Sequence, residues 1–147
     1  MSTVEGVQLT QLREINGEHG SVIHGLRVSD EGYVDFGEVY FSTVNYKSTK
    51  GWKKHHRMTL NLIVISGEIT LVFYDDRVSS KTFGNFFETT LSADEHKRLT
   101  VPFGIWMAFR GMSKNNNKLI NIASLAHDPT EQENIPLNQI NYMWREM

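Results

Sequence analysis

The chain has 147 residues, no cysteine, six histidines, and 15 Lys and Arg against 17 Asp and Glu. Its net charge of −2 excludes a nucleic-acid binder driven by bulk charge. The missing thiols exclude disulfides, thiolate metal sites and a cysteine nucleophile. Length predicts one domain over residues 1–147, able to hide roughly two-thirds of its unfolded surface.

No run approaches the roughly 18 consecutive apolar residues that span a bilayer. The opening MSTVEGVQLTQLREI lacks the basic-then-apolar build of a signal peptide. The expectation is a soluble, cytoplasmic protein with no membrane partner.

Strand signals dominate in chain order. Residues 38–46 (EVYFSTVNY) are rich in β-branched and aromatic side chains. Residues 61–65 (NLIVI) and 69–74 (ITLVFY) read as two strands joined by a tight turn at Ser66-Gly67-Glu68. Residues 85–90, 97–101, 105–109 and 118–125 are further strands, and residues 92–96 form at most one helical turn. Asn115-Asn116-Asn117 reads as a loop tip. Short strands at this spacing predict an all-β sandwich, jelly roll or barrel. Unbroken apolar runs such as NLIVI predict strands covered on both faces. The space between two sheets is then a natural ligand pocket.

The densest polar cluster is Gly51-Trp52-Lys53-Lys54-His55-His56-Arg57-Met58, just before an apolar strand. In an extended chain Lys53, His55 and Arg57 point one way, and Trp52, Lys54, His56 and Met58 the other. A histidine facing the pocket beside a lysine is a base beside a cation, which lowers the imidazole pKa and keeps it neutral. The competing reading is a solvated basic strand edge that deters edge pairing. Tyr74-Asp75-Asp76-Arg77 closes a strand, with Arg77 suited either to a local ion pair or to a phosphate. His19, His24, His96 and His127 show no partner in the sequence. Trp106, Phe103 and Phe109 read more readily as core than as ligand platform.

Several motifs in order resemble the dTDP-4-dehydrorhamnose 3,5-epimerase family. SGEITLVFYDDR resembles its G-E-x-x-x-V-x-x-D-x-R, and KTFG its S-P-T-F-G. LSADEHKRLTVPFGIWMAF resembles L-S-x-E-N followed by L-x-I-P-x-G-x-x-H-G-F. NGEHG resembles its D-E-R-G turn. LAHDPTEQENIPLNQINYMW resembles its Y-x-P-x-x-E segment and closing I-x-Y-x-W. The likeness runs from about residue 17 to 144.

The resemblance implies a cupin, a double-stranded β-helix that is usually a homodimer, with a nucleotide-linked keto sugar in the barrel mouth. It implies epimerisation of a 4-keto-6-deoxy sugar nucleotide, in deoxysugar or surface-polysaccharide biosynthesis, without metal or added cofactor. A histidine removes a proton beside the ketone, a cation stabilises the enolate, and a tyrosine returns a proton from the other face. Carried over by position, the base falls on His55 or, slipped by one, His56. His55 is favoured, because Trp52, His55 and Thr59 keep the frame of a related subgroup. The stabilising lysine falls near Leu60 and is replaced by Lys53. The acid tyrosine falls on Asn121, leaving Tyr40, Tyr46 or Tyr74 as substitutes. By position Met107 stands at a family histidine and His19 at a phosphate-contacting arginine; with these, Lys54, Arg57, Asn61, Arg77, Trp106 and Asn121 are the expected substrate contacts. The aspartate that orients the base belongs to a C-terminal extension in the family.

Cupin metal sites use His-x-His, a nearby Glu and a later His. Here those places hold Lys53, His55, Leu60 and Met107, so no metal is expected. Three functions fit the changed residues: an epimerase for a different keto sugar nucleotide, a 3,4-ketoisomerase, or a binding cupin that has lost its chemistry.

Overall fold

The computed structural model describes residues 2–147. Twelve strands are present among them: β1 (Gln8–Gln11), β2 (Glu14–Gly17), β3 (Gly20–Ile23), β4 (Glu38–Thr43), β5 (Thr49–His55), β6 (Leu60–Ser66), β7 (Glu68–Tyr74), β8 (Phe86–Ser92), β9 (Lys97–Val101), β10 (Trp106–Gly111), β11 (Lys118–Ala123) and β12 (Gln132–Asn134). The only helical pieces among the described residues are 3₁₀ turns, at Ala93–Glu95, Pro129–Glu131 and Leu137–Gln139. No helix there is long and apolar enough to cross a membrane.

Two five-stranded antiparallel sheets face each other, in the orders β1-β9-β6-β11-β4 and β12-β5-β10-β7-β8. We call them the first and second sheets. The hairpin β2–β3 forms a separate two-stranded ribbon, almost wholly exposed. The core lies between the sheets. Leu60, Leu62 and Val64 of β6, Leu99 and Val101 of β9, and Leu119 of β11 meet Ile69, Leu71 and Phe73 of β7 and Met107 of β10. This is the expected all-β jelly roll.

The predicted turn at Gly67 is present, but β6 and β7 do not form a hairpin. They belong to different sheets, so the chain crosses from one layer to the other there. Gly67 has φ +71°, and a side chain on it would strike Asn116 and Asn117. The apolar runs explain why: each strand is covered by its partner sheet rather than by a sequence neighbour.

Period-two alternation then divides β7 and β10. Phe73 and Met107 face the core, while Val72, Trp106 and Ala108 face outward. That outer face is not solvated. The C-terminal segment lays Ile135, Leu137, Ile140, Tyr142 and Trp144 over it, around a fully buried Trp52 from β5. Trp52 Nε1 donates to the Leu137 carbonyl at 3.1 Å, and its main chain exchanges two 3.0 Å bonds with Ile135. The first sheet's outer face is covered only in part. Asn61 bonds Gly32 of the strap over residues 24–37, whereas Val39, Phe41 and Ile65 stay exposed.

Trp52 pins the C-terminal segment, so Trp52→Ala is expected to cost about 3–5 kcal/mol. Urea unfolding followed by circular dichroism measures this, and a loss below about 1 kcal/mol would contradict the packing described.

Candidate active site

A cleft of about 280 Å³ opens between the sheets. Its first wall comes from β4, β6 and β11 (Tyr40, Ser42, Leu60, Asn121), its second from β5, β10 and β12 (Lys50, Lys53, His55, Met107, Phe109, Asn134). A smaller adjoining cavity of about 230 Å³ shares Tyr40, Lys53 and His55 and adds Glu38, Met58, His127 and Gln132.

His55 ends β5 with its side chain 3% exposed. Its Nδ1 is hydrogen-bonded to Oε1 of Glu131, itself almost wholly buried. Glu131 Oε2 accepts from the backbone amides of Arg57 at 3.1 Å and Met58 at 3.2 Å. The carboxylate therefore fixes both the imidazole and the turn that follows β5. His55 Nε2, the other ring nitrogen, is buried and has no hydrogen-bond partner among the described residues. Among the described residues, the other buried side-chain atom without a partner is Arg98 Nε.

Burial drives the His55 pKa below its ordinary 6.5; the Glu131 carboxylate opposes this and Lys53 adds to it. The ring is neutral at physiological pH, with Nδ1–H donated to Glu131 and a lone pair on Nε2. Burial works to raise the Glu131 pKa, but the His55 hydrogen bond and the two amides outweigh it and leave it below 4.5. Burial, with the charges of Glu38 and Glu131, holds the Tyr40 phenol above its ordinary 10. Tyr40 is thus protonated at neutral pH.

Of the residues singled out in the sequence, the cleft gathers Tyr40, Lys53, His55, Leu60, Met107, Phe109 and Asn121, and His127 lines the adjoining cavity. Other expected contacts lie elsewhere. His56, which the alternation set on the other side from His55, is outside the cleft, half exposed, and pairs with Glu133 at 3.2 Å. The strand ends at His55 and the alternation stops, so Met58 turns into the core and Arg57 outward, 3.3 Å from Asp128. Lys54 is on the outer face of β5, 2.7 Å from Asp76 and over the Trp106 ring. Trp106 donates to the same carboxylate at 2.9 Å, and Tyr74 stacks on Phe86, both in the outer apolar layer. Asn61 bonds Gly32 and Thr100 on the outer face of the first sheet. Arg77 is bound to Asp75, which is fully buried. His19 sits at the exposed tip of the β2–β3 hairpin.

Glu131, Lys50, Ser42 and Asn134 escaped the sequence reading. The one local signal for Glu131 was Asp128-Pro129-Thr130, an N-cap and Pro that start a helical turn. Its bond to a histidine 76 residues earlier left no trace in the pattern. Among the described residues no three His, Cys, Asp or Glu side chains group closely enough to hold a metal ion.

The two-sheet jelly roll with a cleft between its sheets is a cupin. The family model described as dTDP-4-dehydrorhamnose 3,5-epimerase matches residues 34–147. A dTDP sugar isomerase from Desulfovibrio desulfuricans G20 is 35% identical, with a TM-score of 0.90 over 98% of this chain and 94% of that one. The probable low-salt glycan biosynthesis epimerase Agl13 of Haloferax volcanii is 24% identical over 92% of this chain and 90% of its own. The 3'-monoepimerase ChmJ from Streptomyces bikiniensis, in complex with dTDP, shares the fold: TM-score 0.85 at 15% identity, over 97% of this chain and 76% of that one. The chain belongs to the dTDP-4-dehydrorhamnose 3,5-epimerase family, and it is a sugar-nucleotide epimerase.

Both members of the pair are shifted downward, so the folded state holds fewer protons than the unfolded chain as acid is added. The His55 contribution to stability is complete above pH 6.5 and is lost as pH falls through its lower folded value. The Glu131 contribution is complete above pH 4.5 and is lost in the same sense below it. Urea unfolding at successive pH values should show stability level above about pH 6.5 and falling on the acid side. Glu131→Ala should cost about 3 kcal/mol at neutral pH, since it strands a buried imidazole and two amides. A pH-independent wild type would contradict the pairing.

Proposed function

We propose that this protein epimerises a nucleotide-linked 4-keto-6-deoxy sugar, with His55 as the base. The observation that carries this reading is the buried His55–Glu131 pair, whose Nε2 is left without a partner beside the cleft. A ketone at C4 acidifies the C–H bonds at C3 and C5. His55 Nε2 takes one of these protons, and the C–H electron pair moves to the ketone oxygen as an enolate. The Lys53 ammonium stabilises that charge. The Tyr40 phenol returns a proton to the carbon, and solvent then reprotonates the tyrosinate and discharges the imidazolium. No electrons leave the substrate.

Inversion requires removal from one face and return at the other. His55 stands on the second sheet and Tyr40 on the first, so the two groups flank a sugar bound between them. A binding cupin without chemistry has no use for a buried imidazole held in one tautomer.

Deuterium wash-in from heavy water into a panel of nucleotide-linked 4-keto-6-deoxy sugars, read by mass, tests this. His55→Ala should lose at least about 10²-fold of the exchange rate, and Tyr40→Phe should slow epimerisation by a similar factor. His56→Ala should keep wild-type activity. kcat/KM should fall on the acid side at a pH below 6.5, where His55 becomes protonated. No wash-in with any sugar would sink the epimerase reading, and equal losses for His55→Ala and His56→Ala would refute the base.

The protein acts as a homodimer in this reading. The support is the set of apolar side chains exposed on the first sheet and its strap: Val28, Val34, Phe36, Val39, Phe41 and Ile65. β4 is also a free sheet edge. An exposed patch of this kind marks an interaction site. Sedimentation equilibrium should give twice the chain mass for the wild type and a monomer for Phe41→Glu; a monomeric wild type would refute it.

A further inference from the structure

Asn121 stands where the family resemblance puts a proton-donating tyrosine, and an amide cannot replace that acid. Its surroundings show what it does instead. The side chain lies on the inner face of β11, 2% exposed, as part of the cleft wall. Nδ2 donates to the Tyr40 carbonyl at 3.3 Å and to Ser42 Oγ at 2.9 Å. A carbonyl oxygen can only accept, so the nitrogen must be the atom that faces β4. Both amide protons are thereby used.

The oxygen is not. Asn121 Oδ1 receives no hydrogen bond from any described residue. Asn121 lines the cleft, so Oδ1 is the polar atom it has left for a bound group. Ser42 is complementary. Its oxygen accepts from Asn121, which leaves its own proton without a described acceptor, and Ser42 also lines the cleft. The two side chains present one acceptor and one donor side by side. A sugar hydroxyl is both a donor and an acceptor, so it satisfies the pair at once.

We infer that Asn121 and Ser42 form a hydroxyl-reading pair that sets which sugar this enzyme accepts. The inference rests on the epimerase reading and deepens it. A 4-keto-6-deoxyhexose bound through C1 has only two hydroxyls, at C2 and C3, both close to the reactive centre. The pair therefore reads one of these two groups. Of the other cleft residues, Leu60, Met107 and Phe109 are apolar and Lys50 and Lys53 can only donate; Tyr40 is taken up by proton return in the epimerase reading, and Asn134 lies at the exposed rim. A site built to bond a hydroxyl rejects the analogue that lacks it, because its own polar groups are left unpaired.

The test compares dTDP-4-keto-6-deoxyglucose with its 2-deoxy and 3-deoxy counterparts in the deuterium assay. Wild-type kcat/KM should fall about tenfold or more for one of the two deoxy sugars, the loss expected for one good hydrogen bond. Asn121→Leu and Ser42→Ala should each lower kcat/KM for the parent sugar and bring its ratio to that deoxy sugar toward one. If these residues only hold β4 in place, both sugars will suffer equally and the ratio will stay. That outcome overturns the inference, as does a wild type indifferent to both hydroxyls. Ser42→Ala removes a single atom and guards against Asn121→Leu failing to fold. If the wild type exchanges no deuterium, the epimerase reading fails separately. Calorimetric binding of dTDP-6-deoxyglucose and its 2-deoxy and 3-deoxy forms then decides the hydroxyl reading by the same ratio.

Discussion

A carboxylate cannot stay ionised in a protein interior unless donors surround it, and Glu131 has three. His55 Nδ1 bonds one oxygen, and the amides of Arg57 and Met58 bond the other. This cluster orders more than itself. It fixes the imidazole tautomer, closes the turn that carries the chain from β5 to β6, and anchors the segment that enters β12. The same segment then pairs with β5 and covers Trp52 from outside. The layer that seals the outer face of the second sheet and the group that orients the imidazole are thus one piece of chain. Loosening the apolar cover would loosen the histidine.

The phase of β5 decides the fate of every cation near it. Lys53 and His55 face inward, and Trp52 and Lys54 outward, until the strand ends and the phase is lost. Outside the cleft each basic side chain of the run is met by an acid: Lys54 by Asp76, His56 by Glu133, Arg57 by Asp128. Among the described residues, Lys53 and Lys50 of the same strand are the lysines and arginines that line the cleft. A run that reads as one basic patch in sequence is three separate surfaces in space. Fixed positive charge is confined to where an enolate or a phosphate would need it.

Much of the fold was legible because period-two alternation is a local signal. The strands over residues 61–65, 69–74 and 97–101 lie where their β-branched and apolar runs put them. The division of Trp52 and Lys54 from Lys53 and His55 followed from the same rule. What stayed hidden was non-local. β12 is three residues of polar sequence, and the β2–β3 ribbon buries almost nothing, so neither carries a hydrophobic pattern. The sheet switch at Gly67 resembles a hairpin turn locally; only the cover on each strand distinguishes them. At the site, His55 was reachable from its spacing, whereas Glu131 was not. Any of the 17 acidic residues could have met that imidazole, and only the folded chain selects one. Lys54, Asn61, Arg77 and Trp106 carry ligand-binding chemistry in their side chains, but their strand phase or ion pairs hold them outside the cleft.

The acid in the proposed mechanism can move from one strand to the next without changing its role. Tyr40 and Asn121 are direct register partners on β4 and β11. Directly opposed residues of an antiparallel pair put their side chains on the same face of the sheet. A phenol on β4 therefore stays on the wall that an acid on β11 would occupy, shifted by about 4.8 Å, one strand spacing. His55 faces it from the other sheet in either case, so the antarafacial relation needed for inversion survives the move. The vacated position on β11 is then free to carry an acceptor, and Asn121 fills it while bonding the Tyr40 main chain at 3.3 Å. In the proposed mechanism, specificity and proton return are divided between two adjacent strands. The bond between them makes the position of the phenol depend on the residue proposed to read the sugar.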